Sequence, residues 1–497
     1  MKRIPLFACL LLTAWPFLFF WQFAGGQQIF FFGDTAQFWY PTHVAYANAL
    51  RAGHLPLWTP EIFGGFPLYA EMQIGALYPP HLLLYGILPT DLAVNYDILL
   101  HLAWLSVGMF LLARRLGLSH PAAFLAAFVY GAGGMTEARV AHVNVLLIMS
   151  WLPWTLYLFE RWRGGGGRRD VVALVAALTL IILIGHPQFA ALVFLIFLSW
   201  AVANPNGKVP DAGARQHTLR ENVAVALVAL AFAVGLAAVQ LLPTYELAQL
   251  AARTIDAPGT FTTSFSLHPL QTVFLLSPFF SGNPYPRVSV EVIAYTGLVP
   301  LILMGASLFL NRNRLTIFGI VVAVVSVLLA FGGYNPLYRV LVERVLPSFF
   351  RAPSRFLLGF YFVTPLVAAS TLDRLGQALP ERGLTRGVKL ALAVFVAGLA
   401  VILGAGPNVP LEAWLGLWRY LPFGLFAAAA LTGYLIWQKR VSRSLAVSLV
   451  LGVTALDLAS FGEVYLHLYN SGVPREQIGA RPRVLTAVDA PIAGARV

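Results

Sequence analysis

The chain has 497 residues, 59% of them hydrophobic and only 11% charged, with a formal net charge of +12. A soluble globular domain carries about 25% charged residues, and an outer-membrane barrel would show alternating segments of about 10 residues; this sequence has neither character. The basic excess sits mostly in short loops between apolar runs, where it orients a membrane protein and gives no reason to expect nucleic-acid binding. The single cysteine, Cys9, permits no intramolecular disulfide.

The N-terminus, MKRIPLFACLLLTAWPFLFFWQFAGG, has a basic start and a long apolar core without a small-x-small cleavage site. It reads as a retained first helix. Apolar runs long enough to span a bilayer then recur to the end of the chain. They predict an all-α polytopic membrane protein with about 13 transmembrane helices, at 4–24, 95–113, 120–134, 143–160, 170–185, 188–203, 222–243, 290–310, 315–332, 356–373, 387–405, 413–437 and 444–462. With Lys2 and Arg3 in the cytoplasm, the alternate loops carry Arg114 and Arg115; Arg161, Arg163, Arg168 and Arg169; Lys208, Arg215 and Arg220; Arg312 and Arg314; Arg374, Arg382, Arg386 and Lys389; and Lys439, Arg440 and Arg443. That pattern places the protein in the cytoplasmic (inner) membrane with its N-terminus inside and its C-terminus outside.

The first outer loop, 25–94, is crowded with Pro, Gly and aromatics and holds the carboxylates Asp34, Glu61 and Glu71. Asp34-Thr-Ala-Gln37 fits a capping box. Pro41 opens a helix to about Ala52, lying at the interface with Val44, Ala47 and Leu50 toward the membrane and His43 and Arg51 toward water. The prolines from Pro56 to Pro80 forbid any long helix before the next span. Tyr338–Leu346 has the spacing of a second interfacial helix, ended by Pro347. The glycine run Gly164–Gly167 is a linker, lacking the lysine-serine tail of a phosphate loop. Residues 1–462 form one transmembrane bundle, and 463–497 form a polar outer tail with the look of the start of a truncated domain.

Asp34 has two readings. A carboxylate at a membrane cavity can take a proton from an incoming hydroxyl; alternatively it is an N-cap. Glu71 and Glu61 are candidates for a sugar hydroxyl or solvated loop charges. Glu137, Arg139 and His142 cluster on the next outer turn, fit to hold a phosphate or to pair among themselves. His186, in Gly-His-Pro-Gln at the lip of a span, is a candidate ligand or a helix-end hydrogen bonder. Arg351 and Arg355 run against the orientation rule, and an anionic lipid headgroup supplies a reason, since Arg pairs bidentately with phosphate. Arg419 and Asp457 are charges in apolar surroundings. No His-Glu-x-x-His or Cys-x-x-Cys occurs, so no cofactor is expected, while carboxylate-only divalent metal binding through Asp34 and Glu71 stays open.

Together Gly33-Asp34 with Gln37 and Pro41, Gly53-His-Leu-Pro-Leu-Trp58, Phe63-Gly-Gly-Phe-Pro-Leu68 with Gln73 and Tyr78-Pro79, Gly185-His-Pro-Gln188, Gln240-Leu-Leu-Pro-Thr-Tyr-Glu246 and Phe350-Arg-Ala-Pro-Ser-Arg-Phe356 form an ordered set. This set resembles the bacterial membrane protein YfhO family of GT-C type glycosyltransferases. The resemblance implies a GT-C-like bundle and a sugar donor carried on a polyprenyl phosphate. It also implies a catalytic acid in the first outer loop, here Asp34, and a cell-envelope glycan or polymer as acceptor. The expected roles are Asp34 as general base of an inverting transfer, Arg351 and Arg355 on the departing lipid phosphate, and Glu71, Arg139, His142, His186 and Glu246 at substrate. The alternatives are a transporter or flippase of lipid-linked sugars and a non-catalytic envelope-assembly protein. The other expected partners are membrane lipids, with no nucleic acid.

Overall fold

A computed structural model describes residues 6–62, 64–206, 217–250, 259–279, 282–283, 289–344, 351–379, 409–438 and 441–478, with 389, 393, 397 and 402 as isolated positions. Most of the expected span 387–405 lies outside them, as do Phe63, Lys208, Arg215, Pro347, Phe350, Arg382, Arg386, Lys439, Arg440 and the end of the chain from 479.

Helices α1 (Leu6–Phe19) and α2 (Trp21–Ala24) lead into strand β1 (Gln28–Phe30), a π-helical turn over Thr35–Trp39 and α3 (Tyr40–Arg51). Then come α4 (Pro79–Ile87), α5 (Thr90–Arg115), α6 (His120–Ala132), α7 (Gly134–Ala138), α8 (Val143–Arg163), α9 (Arg168–Ile184) and α10 (Pro187–Ala203). The chain continues through α11 (Leu219–Leu236), α12 (Ala238–Gln249), α13 (Gly259–Thr262), α14 (Leu298–Leu310), α15 (Arg314–Ala330), α16 (Pro336–Arg344) and α17 (Leu357–Gln377). It closes with α18 (Leu411–Trp418), α19 (Leu421–Trp437), α20 (Arg443–Leu468) and strand β2 (Gly472–Pro474).

Local chemistry sets the boundaries. Ser119 caps α6 by accepting from the Ala122 amide, with Pro121 in the first turn where its missing N–H costs nothing. Thr218 and Glu221 cap α11 reciprocally. Gly185, at φ 94°, ends α9, and the next three residues open α10. The bundle core is built on α5, packed against α1, α6 and α8, and on α17, packed against α6, α14 and α15.

Thr90–Arg115, Val143–Arg163, Leu219–Leu236, Pro353–Gln377 and Arg443–Leu468 are long and apolar enough to cross a membrane, and four shorter apolar helices accompany them. Exposed Leu227, Val228 and Phe232 on α11 and Val321, Val324 and Leu328 on α15 make faces suited to lipid. The described helices do not by themselves make up thirteen crossings. The expected span 413–437 is two helices, α18 and α19, and 222–243 is shared between α11 and α12.

The first loop departs from expectation in three ways. The Asp34 side chain makes no cap hydrogen bond, because the residue already has helical dihedrals and a π-helical turn follows it. Helix α3 forms where Pro41 predicted it, yet it is buried against the bundle, with His43 fully enclosed and not in water. Helix α4 forms despite Pro79 and Pro80, because both occupy its first turn.

A network that the sequence reading missed docks this loop. Asp97 on α5 meets His81 Nε2 at 3.0 Å and His101 Nδ1 at 3.2 Å. Tyr85 donates to Asp97 at 3.3 Å and accepts from Trp39 Nε1 at 3.1 Å. Trp151 donates to Tyr78, whose hydroxyl lies 2.7 Å from His101 Nε2. Burial of these groups makes each pairing valuable, since an unmatched one would cost about 1–3 kcal/mol.

The polar tail does not begin at 463. Helix α20 runs on to Leu468 with Glu463 and Tyr465 buried, and β2 pairs antiparallel with β1, Ile29 opposite Val473. Arg475 then meets Asp91 at 2.5 Å.

Candidate functional site

The loop and bundle meet at Gly185. A Cβ there would fall 1.9 Å from the Met72 carbonyl oxygen, so only glycine lets α9 end against the loop backbone. The adjoining Glu71 accepts from the Gln73 amide at 3.0 Å and from its side chain. Gln73 in turn accepts from Asn144 at 3.2 Å. Burial pushes the Glu71 carboxyl up to about 7, with the Gln73 bonds opposing. Glu71 is thus held in a packing contact between loop and α8. Exposed Glu246 stands on α12; Glu71 is held by Gln73, and the Asp34 carboxylate faces His142.

Asp34 follows β1 by four residues, across Gly33 at φ 52°. Its side chain is 66% exposed, and its Oδ2 lies 3.5 Å from His142 Nε2. His142 precedes α8, and Thr35 Oγ1 donates to the Ala141 carbonyl at 3.1 Å, so the first loop is tied directly to that turn. Burial and then the Arg139 charge lower the His142 imidazole.

Behind His142 lies a buried ionic cluster. Arg139 Nη2 donates to Glu291 Oε2 at 2.6 Å. Arg355 Nη2 and Nε donate to Glu291 Oε1 at 2.7 and 3.1 Å, and its Nη1 donates to Gln188 Oε1 at 2.8 Å. Both guanidiniums lie over the Phe189 ring, at 5.3 and 5.6 Å. Burial alone would raise Glu291, but Arg139 and Arg355 hold it below the usual carboxylate range. His186 accepts from the Phe189 amide as the cap of α10, and burial with the nearby Arg355 lowers it to about 3.

Sequence-remote groups thus converge here, among them Asp34, His142, Arg139, His186 and Arg355. Arg351 meets the cluster through its backbone, its carbonyl accepting from Gln188, and its guanidinium lies over Phe261 at 5.4 Å. Glu291 and Phe189 were unforeseen, and Gln188 was marked only as part of the Gly185–Gln188 motif, without a role. Glu291 could have been flagged as a lone carboxylate at the first residues of an apolar run.

The cluster has open valences. Arg139 is fully buried, yet its Nε and Nη1 have no hydrogen-bond partner among the described residues. Glu137 Oε2, Glu463 Oε2 and the Tyr465 hydroxyl beside it are likewise unmatched. Burial and then the Glu463 charge raise the Glu137 carboxyl to about 8, so it is mostly protonated at neutral pH. Buried donors left open in this way mark a place for ordered water or a ligand.

Other candidates have structural tasks. Asp457 accepts from Tyr295 at 2.7 Å and from the Leu298 amide at 2.9 Å, so it anchors the start of α14. Arg419 is exposed at the end of α18. Among the described residues no group of three or more His, Cys, Asp or Glu is placed to hold a metal ion.

No family model and no curated protein matches the sequence. Among solved structures, the chain is similar to ArnT from Cupriavidus metallidurans bound to undecaprenyl phosphate, with a TM-score of 0.41 and 15% identity over 92% of this chain and 77% of that one. It is also similar to the same protein in the apo state, with a TM-score of 0.39 and 16% identity over 91% and 78% of the two chains. Likeness at this level carries no conclusion about chemistry.

Proposed function

We propose that the chain is a GT-C type membrane glycosyltransferase that moves a sugar from a polyprenyl-phosphate carrier to a cell-envelope acceptor on the outer face of the cytoplasmic membrane. The observation that carries this reading is the pairing of an accessible carboxylate, Asp34, with His142 at 3.5 Å, backed by the buried Arg139–Glu291–Arg355 cluster. One end of the site can accept a proton, and the other can hold an anion.

In the proposed reaction Asp34 takes the proton of an acceptor hydroxyl. The oxygen bonds to the anomeric carbon from the face opposite the phosphate, inverting that centre. The bond from the anomeric carbon to the phosphate oxygen breaks, and its electron pair leaves with the polyprenyl phosphate. Arg139 and Arg355, themselves buried, supply fixed positive charge where negative charge develops. His142 orients Asp34 and separates it from the arginines.

The test is transfer in proteoliposomes supplied with polyprenyl-phosphate hexoses and envelope polymer. Donor should be consumed only when acceptor is present, and Asp34→Asn should abolish transfer while the protein still folds. Wild-type turnover by the Asn variant would remove Asp34 from the mechanism. Donor crossing the bilayer unconsumed would identify a flippase instead.

A further inference from the structure

Charge within the Arg139–Glu291–Arg355 cluster is unequal. Two guanidiniums share one carboxylate, so these three ion-paired groups by themselves leave one positive charge uncompensated. Glu291 occupies the facing donors of both arginines, which leaves Arg139 Nε and Nη1 as open, fully buried donors. Without the carboxylate, two guanidiniums over one phenyl ring would repel each other.

We propose that Glu291 sets the charge specificity of this site: it holds the anion pocket at one net positive charge, so that a singly charged isoprenyl phosphodiester is retained and the doubly charged isoprenyl phosphomonoester is released. This rests on the reading of the site as one for an isoprenyl phosphate. The physics is a competition between two scalings. Attraction to fixed charge grows in proportion to ligand charge, whereas the cost of taking an ion out of water grows as its square. Against one positive charge the second negative charge costs more than it returns. In the reaction the ligand changes from the first species to the second when the sugar departs. Glu291 therefore acts as a specificity residue that favours donor over product, without touching the reacting carbon.

The probes are farnesyl phosphate, a monoester, and its methyl diester, titrated into the full detergent-solubilised chain by calorimetry at pH 8. The unmutated protein should bind the diester at least as tightly as the monoester. Glu291→Gln removes one negative charge and should shift the ratio toward the monoester by at least about tenfold. Glu291→Asp keeps the charge and should keep the wild-type ratio. An unchanged ratio in the Gln variant would sink this inference and leave the functional reading standing. Absence of binding by either probe would remove both.

A measurement on the unmutated protein covers the case where the Gln variant does not fold. The monoester loses its second negative charge below a pKa of about 6. Lowering the pH from 8 to 5 should therefore strengthen monoester binding relative to the diester. Asp34, His142, His186, Glu137 and Glu463 face the cluster; at pH 5 both probes carry about one charge and meet these groups alike, so the ratio there is the reference against which the monoester's second charge at pH 8 is read. A ratio that stays flat or moves the other way overturns the proposal.

Discussion

A buried glutamate cluster lies at each end of helix α8, Glu160 on its last turns and Glu291 beside the Arg139–His142 turn that precedes it. At its C-terminal end Glu160 accepts from Arg163 at 2.6 Å, Trp200 Nε1 at 2.9 Å and Asn206 Nδ2 at 2.7 Å. One cation and two neutral donors meet one carboxylate, and the charge closes to zero. At the N-terminal end Glu291 meets two cations, and one of them keeps two open donors. Both ends keep unmatched buried atoms, Arg163 Nε and Asn206 Oδ1 at the first and Arg139 Nε and Nη1 at the second, but only the second has a cation in excess. Net charge, more than burial or unmatched valence, separates the two ends, and the proposed function assigns an anion to the second alone.

The largest effects should come from removing an arginine at each end. Arg139→Met leaves Glu291 still paired with Arg355 and should destabilise the protein by about 1–3 kcal/mol, with loss of farnesyl phosphate binding. Arg163→Met strips the buried Glu160 of its cation and should cost about 3–5 kcal/mol while leaving that binding unchanged. Denaturation in detergent and calorimetry read both, and equal effects on binding would erase the distinction.

A smaller effect is expected at Gly185, where φ is 94° and the Met72 carbonyl stands in the way. Gly185→Ala should cost about 1–3 kcal/mol and weaken binding by displacing the loop from α10. The smallest is a pH dependence. The Glu137 carboxyl is raised to about 8 in the folded protein, against about 4.3 unfolded. The folded state therefore holds more protons between those values, and stability should fall as pH rises from about 5 to 8. Glu137→Gln should flatten that slope in thermal scans, and a slope unchanged by the substitution would contradict the assignment.

What the sequence made legible was what is local. Apolar runs located most helices, Pro41 and Gly185 marked their ends, and arginines in outer turns pointed to Arg139 and Arg355. The carboxylate that joins those arginines lies 152 and 64 residues away from them, a pairing no local pattern carries. Asp97 shows the same limit. It lies inside an expected span, where a charge is conspicuous, yet its meaning depends on His81 and on the fold of a proline-rich loop. The capping pattern at Asp34 misled because a π-helical turn, not an α-helical one, follows it.

The pairing of β1 with β2 has a mechanical consequence. The segment leaving the last helix is stitched to the strand that delivers Asp34, and Arg475 N donates to Gln27 O at 3.1 Å just before that strand. Tension applied to the polypeptide past residue 478 would reach Phe30 through that seam and pull on the acidic side chain four positions on. The two extremities of the chain thus share one hinge, and force on either is felt at the mouth of the bundle.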